Sequence, residues 1–236
     1  MLSGVHHAGQ ILNLFTTGAP EWGAADVGRS LGMSRSHAHR LLSTLAEVGL
    51  LNRVEPGGRF RLSWTWFEYV SVISASDPLI SSSVPIMRKL KRKHGVDSLL
   101  AVWREGSLVS FSPETVPAVT RREFAECSAL GLVLMAGLRD DELDAHVASA
   151  PRSAGYPPRD EVAHAVQQVR SGGLLARSDP NAEGRWLAAP VMDCHSIVAA
   201  LGVYARGAHC PDGQSAIAVV KKASASLTSC LRRRTA

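Results

Sequence analysis

An α+β chain in two parts is the fold class this sequence predicts, on three observations. The first 63 residues read in the order helix, helix, turn, helix, hairpin. Residues 64–76, "WTWFEYVSVISAS", form one aromatic-rich helical segment ending at Asp77-Pro78. Beyond them, helical repeats alternate with short apolar runs suited to a mostly antiparallel sheet. A length of 236 residues makes two cores the default. The expected organisation is a domain at 1–63, a linker helix at 64–76 and a second domain at 77–236.

Spacing justifies the N-terminal elements in turn. Val5, Ala8, Ile11, Leu12 and Phe15 recur at helical intervals until Gly18, Pro20 and Gly23 break the pattern. Ala24 to Leu31 is a short helix with Val27 and Leu31 on one side and Gly32 at its end. In the next helix, Ala38, Leu41, Leu42, Leu45, Val48 and Gly49 share one face, while Ser36, Arg40, Ser43 and Glu47 lie opposite. "LLNRV" and "RFRLS" then alternate as strands around the turn residues Pro56, Gly57 and Gly58. That order is a winged helix-turn-helix.

The second part opens with a helix from Pro78 whose apolar stripe is Ile80, Val84, Met87 and Leu90, with Pro85 expected to kink or restart it. "SLLAVWR" and "SLVSFS" flank Glu105-Gly106 as a hairpin, and residues 113–126, rich in charge and proline, read as a loop. Helices "SALGLVLMAGL", "DDELDAHVAS" and "PRDEVAHAVQQVR" follow. The strands "GLLARS", "RWLAAPVMD" and "SIVAALGVYA" and a closing helix complete the chain.

Composition narrows the function classes. A hydrophobic share of 45% and a charged share of 20% are those of an ordinary globular protein. No apolar run reaches the roughly 18 residues a bilayer demands, and "MLSGVHHAGQ" lacks a basic region followed by an apolar signal core. A cytoplasmic protein with no membrane partner is expected. Cys127, Cys194, Cys210 and Cys230 contain no CxxC pair and read as free thiols. The net charge of +5 is compatible with a polyanionic partner.

Chemistry concentrates in "GMSRSHAHRLLSTLAEVGLL", residues 32–51. Ser34, Arg35, Ser36, His37, His39 and Arg40 crowd the leading end of a helix whose rear is leucine. That is what the DNA major groove asks of a recognition helix: donors at its N-terminus for base edges and phosphates, and a helix end that itself favours anions. A capping role for Ser34 or Ser36 on an ordinary polar face is the alternative. The preceding helix, the tight Leu31-Gly32-Met33 turn and the basic hairpin with Arg53, Arg59 and Arg61 favour DNA, with Arg59 and Arg61 of the wing on phosphates.

The stretch "ILNLFTTGAPEWGAADVGRSLGMSRSHAHRLLSTLAEVGLLNR" followed by "GRFRLS" resembles the DNA-binding half of the IclR family of bacterial transcriptional regulators. "SALGLVLMAGLRDDEL" resembles the Ala-Gly helix that opens that family's effector pocket, and "GRWLAAPVMDCHSIVAALGVYA" its central strand pair. The resemblance implies a GAF-like effector-binding second domain, and homodimers or dimers of dimers on palindromic double-stranded operators. It implies a small-molecule effector and no cofactor. Ser36 and Arg40 match the family's reading helix, whereas His37 and His39 depart from it.

Carried over residue by residue, the resemblance places effector contacts at Cys127, Ser128, Ala129 and Leu130, at Ala176, at Trp186, and at Gly202 and Tyr204. The last two share a strand face at i, i+2 spacing. Ala176 stands where a relative has a polar contact and Trp186 where a small residue is common. An aromatic or apolar effector is therefore expected in place of a small polar acid. Core filling by Trp186 and Tyr204, and capping or packing by Cys127 and Ser128, stay open.

Two other classes are weighed. An enzyme would need a base and oxyanion donors around Cys127, and no motif supplies them. A metal-sensing regulator would need ligand spacing that "DCH" at 193–195 and "HC" at 209–210 do not offer. No catalytic or metal-binding residue is assigned. The basic runs at 88–94 and 232–234 read as solvated helix faces.

Overall fold

The computed structural model describes residues 3–104, 107–113, 115–121, 128–148, 157–178, 184–205 and 213–235. Two compact units divide the chain, Met1–Ser76 and Asp77–Ala236.

In the first unit, α1 (Ser3–Leu12), α2 (Ala24–Leu31) and α3 (Arg35–Glu47) enclose a core of Ile11, Val27, Ala38, Leu42, Leu45, Leu51 and Phe60. The helical spacing delivers this directly, since Ala38, Leu42 and Leu45 are one stripe of α3. Each fully buried Leu, Val or Phe contributes about 1.5–3 kcal/mol. Val48 departs from expectation: α3 ends at Glu47, and Val48 is a C-cap residue left 61% exposed. The first helix is also shorter than the apolar spacing suggested, stopping at Leu12.

The turn between α2 and α3 depends on glycine. Gly32 ends α2 in the left-handed region at φ 66°, and Met33 N–H returns to the Gly28 carbonyl at 3.0 Å. A Cβ on Gly28 would stand 2.8 Å from the Met33 carbonyl oxygen. Gly28→Ala is therefore expected to destabilise this unit by about 1–3 kcal/mol. A calorimetric scan checks it, since each kcal/mol lowers the Tm of so small a unit by roughly 4–8 °C.

Three strands form the wing. β1 (Trp22–Gly23), β2 (Leu51–Val54) and β3 (Arg59–Leu62) pair antiparallel in the order β1-β3-β2. The sequence did not mark β1, whose two residues sit among turn formers. α4 (Thr65–Ser76) buries none of its side chains, and its Trp66 indole N–H donates to the Leu50 carbonyl at 2.9 Å. Trp64, Phe67, Val72 and Ile73 stand 75%, 54%, 64% and 52% exposed.

The second unit is a six-stranded sheet covered on both faces. Its strands are β4 (Asp97–Arg104), β5 (Ser107–Ser112), β6 (Thr115–Arg121), β7 (Leu175–Ser178), β8 (Arg185–Asp193) and β9 (Ser196–Ala205). They run in the order β6-β5-β4-β9-β8-β7, every neighbouring pair antiparallel. α5 (Pro78–His94) and α9 (Gly213–Thr235) cover the face that carries Leu100, Leu187, Ala189 and Leu201. α6 (Ala129–Met135) and α8 (Arg159–Arg170) cover the face with Ala101, Ala188 and Ala200, joined by Leu143 and Val147 of α7 (Asp140–Ala148). The near-continuous apolar runs of β8 and β9 follow from this double burial. α7 is capped by its own third residue: the Arg139 backbone N–H on Glu142 holds that carboxyl below its usual range, helped by the Arg139 guanidinium.

Two expectations fail here for identifiable reasons. Pro85 does not restart a helix, because α5 runs through it to His94. The ring is exposed, and in the preceding turn Ser83 Oγ donates to the Ile80 carbonyl at 2.8 Å. Residues 115–121, read as loop, are the edge strand β6. Its Pro117 lacks an N–H, which an edge strand tolerates, and it falls where the register slips between Ser110 and Ser112 of β5. Among the described residues no single helix is long and apolar enough to cross a membrane.

Candidate nucleic-acid interface and effector site

Ser34 starts α3. Its Oγ accepts the His37 backbone N–H at 3.2 Å, so the hydroxyl is a cap whose own proton remains to donate. Arg35, Ser36, His39 and Arg40 are exposed beyond it, held outward because Ala38 and Leu42 are locked into the core. His37 is half-buried, its ring edge-on to His7 of α1 at 5.5 Å. Arg40 Nη2 donates to His37 Nδ1 at 3.1 Å, which aims the guanidinium along the helix. The arrangement presents two guanidiniums, an imidazole, a hydroxyl and the positive end of a helix along the first half of α3. Its chemistry is that of binding polyanions and hydrogen-bonding base edges.

The two wing arginines are not equivalent. Arg59 donates to the Glu21 carbonyl at 3.0 Å and lies 3.6 Å from Asp26, which latches β3 to the start of α2. Arg61 is exposed and, among the described residues, has no ion-pair partner. Arg53, which the sequence marks as a basic hairpin residue without assigning it a contact, has its guanidinium 5.7 Å over the Phe60 ring and donates to Ser43 Oγ at 3.2 Å. Its strand position opposite Phe60 was the available signal. His7 carried no signal at all.

In the second unit the predicted effector residues fall mostly together. Ser128 caps α6 by accepting the Gly131 N–H at 3.0 Å, and Ala129 and Leu130 are buried against the sheet. Leu130 lies so close over Gly202 that a Cβ there would meet its Cδ2 at 2.9 Å. Trp186 and Tyr204 are cross-strand partners with ring centroids 5.0 Å apart. Cys127 lies outside the described residues.

Ala176 does not join them. It pairs with Leu187, which belongs to the core on the α5 and α9 side, whereas Trp186, Ala188 and Leu130 belong to the other. The side-chain period along a strand is two, so a slip of one residue exchanges the faces. The residue beside Trp186 is instead Arg177, ion-paired with Glu161 of α8 at 2.7 Å. An ion pair therefore lies beside Trp186 where the sequence suggests a methyl group.

The Cys194-His195 pair occupies the turn between β8 and β9, with both residues exposed. Among the described residues no three His, Cys, Asp or Glu side chains gather around a common point.

Comparison with known proteins bears on both units. Residues 4–55 match the IclR helix-turn-helix domain. The chain is 28% identical over 216 residues to the HTH-type transcriptional regulator XynR of Escherichia coli (strain K12), covering 86% of each. A solved structure described as an IclR transcriptional regulator from Silicibacter sp. TM1040 superposes with a TM-score of 0.76 at 25% identity, over 97% of this chain and 96% of that one. An IclR homologue from Microbacterium hydrocarbonoxydans, solved with 4-hydroxybenzoate, shares the fold with a TM-score of 0.79 at 19% identity, over 98% and 99% of the two chains. Residues 4–55 are thus an IclR-type helix-turn-helix domain, and over its full length the chain is similar to transcriptional regulators that carry one.

Proposed function

We propose that this regulator reads an operator with residues 1–63, through the leading end of α3, and that an organic effector bound in 77–236 sets its affinity. The observation that carries the reading is the exposed set Arg35, Ser36, His39 and Arg40 on a helix fixed from behind by Ala38, Leu42 and Leu45. Such a helix enters the major groove by its N-terminal residues, with Arg61 and Arg53 placed for phosphates. The likeness of the chain to transcriptional regulators supports regulation over catalysis. Operator DNA places the protein in the cytoplasm. Selection of genomic fragments by the purified protein, followed by footprinting, tests the reading. A protected palindrome is expected, and equal retention of all fragments overturns it.

The effector class follows from Arg177, Trp186 and Tyr204. Two rings at 5.0 Å suit an aromatic ligand, and the Arg177 guanidinium can trade Glu161 for a ligand carboxylate. The same-fold relative solved with 4-hydroxybenzoate holds a ligand of this class. An aromatic acid is the proposed effector, and it acts by binding two assembly states unequally. Titration with aromatic acids, glyoxylate and pyruvate, followed by Trp fluorescence, separates the possibilities. Saturation by glyoxylate or pyruvate alone rejects the aromatic assignment.

The linker helix 64–76 points to a homodimer. Its exposed Trp64, Phe67, Val72 and Ile73 form an apolar surface that a second copy would cover. Sedimentation is expected to show a dimer or a dimer of dimers, and Phe67→Glu with Ile73→Glu to shift it toward monomer. A wild-type monomer that binds a palindrome with full affinity overturns this.

A further inference from the structure

We propose that the groove between α5 and α9 is a second ligand site, which takes a free single-chain anionic amphiphile such as a medium-chain fatty carboxylate. The groove encloses about 390 Å³. Its floor is apolar, with Ile86 and Leu90 from α5 and Val219 and Ala223 from α9, and its rim is Lys89, Lys93 and Lys222. The basic run at 88–94 thus does more than solvate a helix. On α5, one apolar row and one cationic row lie side by side at i, i+4 spacing.

Charge and size identify the occupant. Among the described residues no carboxylate lines the groove and none of its three lysines is ion-paired, whereas Lys91 on the same helix holds Asp97 at 2.6 Å. Like charges at i, i+4 repel, so Lys89 and Lys93 gain from an anion between them. An inorganic anion would leave the apolar floor wet, and a neutral chain would leave the lysines unanswered. From Ile86 to Lys93 the groove runs about 10 Å along the helix. That is too short to supply the roughly 800 Å² per partner of a stable protein interface, while its volume lies in the range of small-molecule sites. It faces the opposite side of the sheet from Trp186 and Tyr204, so it is independent of the effector site above.

Calorimetric titration of the full chain with octanoate, kept below its micelle-forming concentration, tests the site. One saturable octanoate per chain is expected. Replacing Lys89, Lys93 and Lys222 together by Gln should weaken it at least tenfold, Ala223→Phe should block it, and Trp186→Ala should leave it unchanged. Octanol should bind at least tenfold more weakly. Because the three lysines are exposed, the triple variant keeps its fold and remains informative even if Ala223→Phe does not. Undiminished binding by the triple variant overturns the proposal, as does loss of binding with Trp186→Ala. Retention on phosphatidylglycerol vesicles without uptake of free octanoate also overturns it and assigns the basic face to a membrane surface.

Discussion

Phe60→Ala is expected to unfold the N-terminal unit and abolish operator binding while the C-terminal unit stays folded. The ring is 1% exposed, on the central strand of the wing, and it is touched from three sides: Trp22 and Arg53 pair with it across β3, and His39 meets it at 6.4 Å. Removing a buried Phe costs about 3–5 kcal/mol, against a total of roughly 5–15 kcal/mol for a domain. A unit of only 76 residues belongs at the low end of that range. Differential scanning calorimetry on wild type and variant checks the outcome. Loss of one transition with the other unmoved is expected, and an N-terminal transition lowered by less than about 5 °C, little more than 1 kcal/mol for a unit this small, would show that the wing does not depend on this ring.

Arg40→Ala is expected to lower specific operator affinity by about 5- to 150-fold, the equivalent of 1–3 kcal/mol, with no change in melting temperature. Arg40 is exposed, and its contact within the chain is the 3.1 Å bond to His37, so the fold has little at stake. Arg59→Ala should behave differently. Arg59 is occupied with Glu21 and Asp26, and its loss loosens the wing before it removes any phosphate contact. The affinity loss should then come with a lower Tm. Fluorescence anisotropy on one labelled operator at fixed salt, paired with thermal scans, separates the two. Unchanged affinity for Arg40→Ala would move the reading surface off α3.

The helix-turn-helix was legible because its determinants are local. A 3.6-residue apolar repeat, a glycine at the turn and a hydroxyl at the cap lie within a few residues of what they control, as Gly28, Gly32, Ser34 and Leu42 show. The sheet was less legible because its determinants lie far apart in sequence. β6 was hidden by Pro117, whose missing N–H matters only if the strand has a neighbour on both sides, and strand order is not written in the segment itself. Ala176 was misplaced by the same kind of ignorance. Four residues of "LARS" carry no alternation strong enough to fix a face, so the register came from β8, through the pairs Ala176 with Leu187 and Arg177 with Trp186. A difference of one residue puts the Arg177–Glu161 ion pair, in place of a methyl group, beside Trp186. Arg59 shows a third limit. Its exposure was predictable from strand alternation, but its partners Glu21 and Asp26 lie more than thirty positions away.

The outer edges of the six-stranded sheet have a consequence for how copies of the chain meet. One edge is β6, interrupted by Pro117, and the other is β7, only four residues long. An open edge is a template for strand-by-strand growth into aggregates, and a missing donor on one side with too short a ladder on the other leaves little to copy. The sheet is thus closed to polymerisation without being closed into a barrel. Copies of the chain crowded on DNA therefore find little in this sheet from which to seed a fibre.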